Sequence, residues 1–268
     1  MGTAVLSLVG TAALGFGCGW LHDWNALWIA PLLFVGWFLV LTVLLFAALL
    51  LIGACVDQKA PVTKEHPFFR KMMHWMSAYL DFFGGARLQV IGKEKVPSKQ
   101  RVLFVANHRS MFDPIVTADA FRDRDISYVS KPGNFDIPIA GGFAHMCRFL
   151  SLDRDDPRAA VGVMRTAADI IASGDADVGI YPEGTRNKTN EPLLPMHNGS
   201  VKIAKIARCP IVVLTTRNTQ YIAKNFPLRT TKVTITVVDV IDAETVNALH
   251  TEALTERMRN AMLKDLSD

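Results

Sequence analysis

The sequence predicts an α/β domain, a sheet with helices on its faces, preceded by an N-terminal transmembrane hairpin. Two observations predict this organisation. From residue 86 onward, short apolar segments that are typical of strands alternate with helical patterns, and such interleaving is typical of α/β sheet domains. Residues 1–56 instead form long apolar stretches interrupted by His22 and Asp23, as expected for helices in a bilayer.

The N-terminal anchor is assigned to residues 1–56. Residues 26–55 are uncharged and exceed the roughly 20 helical residues that cross a hydrocarbon core. Residues 1–21 are also apolar, and a secretory signal peptide is the competing interpretation, but the Lys/Arg region of such peptides is missing and a second apolar span follows. We therefore expect a helical hairpin with a loop at His22–Asn25. One span plus a re-entrant or interfacial segment is the alternative.

The flanking charges predict the orientation of this anchor. The loop at His22–Asn25 contains no Lys or Arg, whereas Lys59, Lys64, Arg70 and Lys71 follow the second span. The positive-inside rule then places residues 57 onward in the cytoplasm. We expect an integral membrane protein of a bacterial plasma membrane, with an organelle membrane as the alternative.

Residues 57–85 are predicted to contain an amphipathic helix, over 66–84. Its Phe, Trp, Met and Leu residues recur at spacings of three and four, a pattern suited to a membrane interface. In that interpretation Arg70 and Lys71 meet lipid headgroups. An ordinary helix that packs on the core is the alternative.

Residues 86–268 are predicted to form one domain, since no repeat or long linker interrupts them. Strands are expected at 86–92, 101–107, 126–131, 177–183, 210–216 and 232–241. Helices are expected near 112–122, 136–148, 157–173, 199–207 and 243–266, the last with Asp242 as its N-cap.

Composition narrows the classes of ligand. A formal charge of +4 argues against nucleic acid as the main ligand, and it suits an anionic membrane surface. The four cysteines show no CxxC spacing and no cluster with histidine. We therefore predict no disulfide and no zinc or other metal site.

Polar motifs follow two of the predicted strands. His108 comes after the apolar run RVLFV, and Asp113 lies five residues later. A neutral imidazole can accept a hydroxyl proton when an acceptor fixes its other nitrogen, and Asp113 is placed to do so. No serine or cysteine nucleophile is evident, which favours direct attack by a substrate hydroxyl. The alternative is that His108 merely caps the following helix.

The second motif, PEGTR, follows the strand DVGIY. Gly184 permits a tight turn, and Arg186 offers a planar fork of donors suited to phosphate. Glu183 is interpreted as a supporting carboxylate or as a partner for a substrate hydroxyl, with a plain surface turn as the alternative. Lys131 and Arg154 follow two further apolar stretches; each alone resembles a solvated charge, but with Arg186 they would make an anion pocket.

The stretches NHRSMFD and YPEGTR, about 70 residues apart, resemble the HxxxxD and EGTR signatures of the glycerolipid acyltransferases. Within that family, the stretches especially resemble those of the 1-acyl-glycerol-3-phosphate acyltransferases of the PlsC type. The resemblance covers roughly residues 86–241, and it implies the fold of that family, a mixed sheet flanked by helices.

This resemblance also implies an activity, the transfer of a fatty acyl group from a thioester to the sn-2 hydroxyl of lysophosphatidic acid. His108 would be the general base and Asp113 its orienting carboxylate. The implied acceptor-binding residues are Glu183, Gly184, Thr185, Arg186, Arg154 and Lys131. The implied partners are the phospholipid bilayer, lysophosphatidic acid and acyl-CoA or acyl carrier protein as co-substrate, with no resident cofactor. Glycerol-3-phosphate, another lysophospholipid or a lipidated amine as acceptor, and a non-catalytic scaffold, are the alternatives.

Overall fold

A computed structural model describes residues 2–17, 26–153 and 156–267 of the chain. The chain divides into two compact units, Met1–Asp57 and Gln58–Asp268. The predicted loop at His22–Asn25 and the predicted anion ligand Arg154 lie outside the described residues.

The first unit contains two apolar helices, α1 (Gly2–Gly17) and α2 (Ala26–Ala54). They pack together, since a Cβ added at Gly10 would lie 3.4 Å from the Trp37 ring. Among the described helices, α2 has the length and composition of a membrane span, over Trp28–Ala54 with a mean hydropathy of 2.8. The 16 residues of α1 reach about 24 Å at 1.5 Å per residue, less than a hydrocarbon core of about 30 Å.

The second unit is built on a seven-stranded mixed sheet. Its strands are β1 (Ala86–Ile91), β2 (Leu103–Ala106), β3 (Ile126–Ser130), β4 (Leu150–Ser151), β5 (Asp177–Ile180), β6 (Ile211–Arg217) and β7 (Thr231–Ile241). Their order across the sheet is β1-β7-β6-β2-β5-β3-β4. All six predicted strands are present, and the two-residue β4 was not predicted.

Strand direction defines two edges of the sheet. β6, β2, β5, β3 and β4 run parallel to one another, whereas β7 is antiparallel to β6 and parallel to β1. The five parallel strands therefore end at the edge where β1 and β7 begin. We call it the carboxyl edge.

Helices cover both faces of the sheet. They are α3 (Pro67–Phe83), α4 (Asp113–Ala120), α5 (Ala140–Met146), α6 (Pro157–Ala172), α7 (Lys202–Ala207), α8 (Ile222–Asn225), α9 (Ala243–Ala248) and α10 (Thr251–Ser267). On one face, α6, α7 and α10 pack against Leu103 and Val105 of β2. On the other face, α4 packs against Phe104 and Ala106, and α3 covers α4. β2 is thus buried on both faces, which explains its uninterrupted apolar sequence.

Local signals explain where several helices begin and end. Asp242 accepts a hydrogen bond from Thr245 N at 2.8 Å, so the predicted N-cap is confirmed. The helix predicted over 243–266 is instead two helices, because Leu249 adopts an extended conformation between α9 and α10. The helix predicted near 136–148 is confined to α5, which begins after residues 132–134 form a separate 3₁₀ turn.

The buried face of α3 is polar, which corrects the expected role of Arg70. Arg70 is 5% exposed and donates hydrogen bonds to Glu65 Oε2 at 2.5 Å and to the carbonyl of Ile126 at 2.8 Å. A guanidinium occupied in this way is not available to lipid headgroups. Four apolar residues of α3, Phe68, Leu80, Phe82 and Phe83, are exposed, and their contact with a membrane stays a prediction.

Asp81, near the end of α3, is a buried carboxyl group beside Asp119 of α4. Burial, and then the negative charge of Asp119, raise the pKa of Asp81 to about 8. Asp81 is therefore a neutral acid at neutral pH, because the cost of burying a charge exceeds that of keeping the proton.

Candidate active site

Two strand ends bring the two sequence motifs together. β2 ends at Ala106 and leads into Asn107 and His108, while β5 ends at Ile180 and leads into Tyr181 and Glu183. β2 and β5 are neighbouring parallel strands, with Val105 opposite Ile180. Both motifs therefore lie side by side at the carboxyl edge, where ligands gather in open α/β sheets.

Asp113 holds the imidazole of His108 from one side. Asp113 Oδ2 lies 2.7 Å from His108 Nδ1, and it also accepts hydrogen bonds from the backbone N–H groups of Arg109 at 2.7 Å and Ser110 at 2.8 Å. An ionised carboxylate only accepts, so Nδ1 carries the proton and Nε2 keeps a lone pair. The imidazole of His108 is 18% exposed and Asp113 is fully buried. This geometry suits a base that takes a proton at Nε2.

Glu183 holds the backbone of His108 in place. Its Oε1 accepts a hydrogen bond from His108 N at 2.6 Å, and its Oε2 accepts one from Leu194 N at 2.8 Å. Glu183 is 3% exposed, and burial raises its pKa although these N–H groups act in the opposite direction. Of the two interpretations left open by the sequence, the geometry favours the supporting carboxylate over a partner for a substrate hydroxyl.

Aromatic rings back the imidazole. The rings of Tyr181 and His108 stack with centroids 4.3 Å apart and 20° between their planes, and Tyr128 stacks on Tyr181 at 6.2 Å. Burial raises the pKa of both tyrosines, so their hydroxyls stay protonated. Sequence reasoning missed this stack; the aromatic residue directly before PEGTR was the available signal.

A clamp of two hydrogen bonds between Asn107 and Thr216 fixes the end of β2. Sequence reasoning also missed this clamp. Asn107, fully buried, donates from Nδ2 to Thr216 O at 3.0 Å and accepts at Oδ1 from Thr216 N at 2.7 Å. Since Thr216 lies near the end of β6, the clamp ties β2 to its other neighbour directly before His108. On the next loop, Asn187 N donates to His108 O at 2.6 Å.

The turn of the second motif presents its arginine to solvent. Gly184 has φ +68°, a conformation that strongly favours glycine, and its N–H donates to Tyr181 O at 3.0 Å. The tight turn predicted at Gly184 is therefore confirmed. Thr185 and Arg186 are exposed, and within the described part of the chain the Arg186 guanidinium forms no hydrogen bond or ion pair. All of its donors are free for an anion.

Lys131 directly follows β3, the strand next to β5, so it lies at the same carboxyl edge. Its side chain is exposed and contacts neither His108 nor Glu183 through any described hydrogen bond. The structure thus unites His108, Asp113 and Glu183 directly and leaves Lys131 on the periphery.

Other nucleophiles are poorly placed. The hydroxyl oxygen of Ser110 accepts a hydrogen bond from Phe112 N at 3.2 Å and makes no described contact with the imidazole. Burial raises the pKa of the Cys147 and Cys209 thiols to about 12, which suppresses the reactive thiolate. Among the described residues, no group of three or more His, Cys, Asp or Glu side chains could hold a metal ion. A base acting on an external hydroxyl is the chemistry that this arrangement supports best.

A cavity of about 530 Å³ with both apolar and polar lining residues lies beside the aromatic stack. Its lining includes Phe135, Phe149, Leu150, Gly162 and Val163. Phe149 packs edge-on against Tyr128, with centroids 5.4 Å apart, so a continuous series of ring contacts runs from the cavity to the imidazole.

Comparisons with known proteins give a consistent result. A model of the acyltransferase family matches residues 87–217. The 1-acyl-sn-glycerol-3-phosphate acyltransferases alpha of Bos taurus and Homo sapiens are each 26% identical over 222 residues, or 82% of this chain and 75% and 76% of theirs. The chloroplastic 1-acyl-sn-glycerol-3-phosphate acyltransferase BAT2 of Brassica napus is 32% identical over 157 residues, or 58% of this chain and 43% of its own.

A solved structure supports the fold. The crystal structure of the 1-acyl-sn-glycerophosphate (LPA) acyltransferase PlsC from Thermotoga maritima matches with a TM-score of 0.61 at 19% identity, covering 74% of this chain and 78% of that one. The predicted fold class, a mixed sheet flanked by helices, is confirmed.

Proposed function

We propose that this chain, whose residues 87–217 match a model of the acyltransferase family, transfers a fatty acyl group from a thioester to the sn-2 hydroxyl of lysophosphatidic acid, giving phosphatidic acid. The observation that carries this proposal is the contact of 2.7 Å between His108 Nδ1 and Asp113 Oδ2, beside a turn whose Arg186 is free. A fixed base and an available guanidinium match the two parts of the acceptor, a hydroxyl and a phosphate monoester.

The reaction begins when His108 Nε2 accepts the proton of the acceptor hydroxyl. The hydroxyl oxygen forms a bond to the thioester carbonyl carbon, and the carbon–sulfur bond then breaks. The leaving thiolate takes the proton back from the imidazolium, so no proton is lost or gained overall. Asp113 stabilises the transient imidazolium because its carboxylate is buried and fixed by two backbone N–H groups.

Arg186 binds the phosphate of the acceptor in this proposal. A guanidinium pairs two of its N–H donors with two phosphate oxygens, which the point charge of lysine does not reproduce. Gly184 and Thr185 shape the turn that carries Arg186, whereas Arg154 and Lys131 are proposed to assist with the phosphate.

The acyl chain of one substrate is assigned to the cavity that Phe149 and Leu150 help to line, because these side chains, with Phe135 and Val163, give it apolar contact surface. Acyl-CoA or acyl carrier protein is the proposed co-substrate, with no resident cofactor. The proposed location is a bacterial plasma membrane, spanned by α2, with residues 57 onward in the cytoplasm. Protease protection in sealed vesicles tests this orientation.

An acyl-transfer assay of the purified protein tests the function. The acceptors are lysophosphatidic acid, glycerol-3-phosphate, a lyso-aminolipid and other lysophospholipids, each with both donors, and mass spectrometry identifies the products. We expect the highest kcat/KM with lysophosphatidic acid and loss of turnover in His108→Ala. A higher value with another acceptor would reassign the substrate, and no transfer to any of them would support a scaffold.

A further inference from the structure

Large apolar side chains are exposed on two segments that meet at the carboxyl edge. Phe82 is 75% exposed at the end of α3, and Phe226 and Leu228 are 56% and 92% exposed in the connection between β6 and β7. Leaving such side chains in water forgoes the free energy of burial. A cluster of them is a feature of protein or membrane contact surfaces.

These side chains belong to one surface. Thr231 N donates to Gly85 O at 2.8 Å, and a Cβ added at Gly84 would lie 3.6 Å from Ile222 Cγ2. The end of α3 and the β6–β7 connection are therefore in direct contact. We define the carboxyl-edge patch as Phe82, Phe83, Tyr221, Lys224, Phe226, Leu228 and Arg229.

The charge of this patch has one sign. Lys224 and Arg229 are exposed, and residues 218–230 contain no Asp or Glu, as is also true of residues 82–92. Lys224 Nζ lies 5.8 Å from the centre of the Tyr221 ring. Aromatic and aliphatic side chains beside cations are the composition of an interfacial surface on anionic lipid.

The patch lies at the same edge as the active site. β6 ends and β7 begins at the carboxyl edge, and β2 delivers His108 to that edge two strands from β7. Met111, three residues after His108, is also exposed there, at 59%. A flat surface that covers the patch would therefore lie on the side of the sheet from which the acceptor reaches His108.

We propose that the carboxyl-edge patch docks on the anionic surface of a lipid bilayer, with Phe226 and Leu228 inserted among the acyl chains and Lys224 and Arg229 on headgroup phosphates. Docking holds the mouth of the active site against the layer in which an amphiphilic acceptor is dissolved. This inference rests on the proposed function in one respect only, that the acceptor is a membrane lipid.

The kinetic test uses the full chain in nanodiscs made of phosphatidylglycerol and phosphatidylcholine. Phe226→Glu with Leu228→Glu should raise the KM for bilayer-borne, long-chain lysophosphatidic acid by at least about tenfold, because the lost burial of one side chain of this size alone corresponds to about that factor. Turnover of a short-chain, water-soluble lysophosphatidic acid should not change. The matched control is Ile206→Glu, because Ile206 is nearly as exposed as Phe226, at 52%, but lies in α7 just before β6 begins, and it should change neither reaction.

A second arm does not depend on catalysis. Amide hydrogen exchange of residues 219–230 should be slower in anionic nanodiscs than in neutral ones, and Lys224→Gln with Arg229→Gln should abolish that difference. The proposal would be overturned if the glutamate variant kept the wild-type KM for the bilayer-borne acceptor, or if it lost as much activity on the soluble acceptor. It would also be overturned if the rate of amide exchange were the same in anionic and neutral nanodiscs. If protection from amide exchange instead increased with protein concentration, the patch would be assigned to contact with a second copy of the chain. If wild type acylates neither acceptor, the proposed function fails while the exchange arm still decides this one.

Discussion

Replacement of Asp113 by asparagine is the sharpest test of how the imidazole is held. All three hydrogen bonds to the Asp113 carboxylate converge on Oδ2, while Oδ1 is buried and accepts none from the described residues. An asparagine can therefore place its single oxygen at the Oδ2 position and keep all three donors. The substitution removes the negative charge and leaves the shape of the site almost unchanged.

The magnitude follows from the charge pair that forms during the reaction. When His108 takes the substrate proton, an imidazolium and a carboxylate face each other, and unit charges about 4 Å apart attract by about 4 kcal/mol at an effective dielectric constant of about 20. Removing that attraction costs about three orders of magnitude in kcat, at 1.36 kcal/mol per decade. The KM for lysophosphatidic acid should stay within about threefold, because Asp113 is fully buried and its carboxylate contacts the imidazole of His108.

The assay is steady-state acyl transfer by wild type, Asp113→Asn, His108→Ala and the double variant, with thermal unfolding as the control for folding. The double variant should be no slower than His108→Ala, since Asp113 acts through the imidazole. A single Asp113→Asn variant with near wild-type kcat would refute the reasoning. So would a loss that resides in KM alone, or one that adds to the loss in His108→Ala.

Four further outcomes follow from the same structure. His108→Ala should lower kcat by about 10²–10⁴ in a protein that stays folded and membrane-bound; retained turnover contradicts the proposed base. Arg186→Ala should strongly raise the KM for lysophosphatidic acid but cost little further activity on monoacylglycerol, and Arg186→Lys should restore part of the loss; equal harm on both acceptors would make Arg186 structural. Gly162→Leu should shift the preference toward shorter acyl chains, since a Cβ at Gly162 meets nothing within 4 Å; an unchanged chain-length profile would remove the cavity from the proposal. The folded state keeps the Asp81 proton up to about pH 8, whereas an unfolded chain releases it near pH 4. The free energy of unfolding should therefore fall by at most about 1.4 kcal/mol per pH unit as the pH rises between these values. Asp81→Asn should flatten that slope in denaturant titrations, and an unchanged slope would contradict the raised pKa.

The parts of the fold that were predictable have local causes. Every residue of β2, LFVA, is apolar because the strand is buried on both faces. A strand buried in this way has its polar residues beyond its end. His108 and Glu183 then meet because neighbouring parallel strands end at one edge. The tight turn at Gly184 was predictable because glycine, which has no Cβ, adopts a positive φ much more readily than other residues.

The parts that were not predictable depend on contacts distant in sequence. Arg70 reads as a surface charge, yet it is buried because the carbonyls of Ile126 and Cys147, 56 and 77 residues away, accept its donors. From the sequence alone, Asn107 resembles an ordinary loop residue, because nothing near it in the chain shows that β6 lies beside it. No local sequence pattern predicts that β7 lies between β1 and β6, because strand pairing depends on contacts across the whole sheet.

The central position of β2 has a consequence for biosynthesis. Both of its neighbours, β5 and β6, come later in the chain, and the Asn107–Thr216 clamp closes across 109 residues. Contacts this distant form slowly because a long loop must be closed first. A ribosome that has made residues 1–176 has therefore produced β2 with both of its hydrogen-bonding edges unpaired, and an unpaired apolar strand invites pairing with other chains. Fragments that end before β6 should aggregate, and the nascent chain should depend on chaperones until residue 217 has left the exit tunnel.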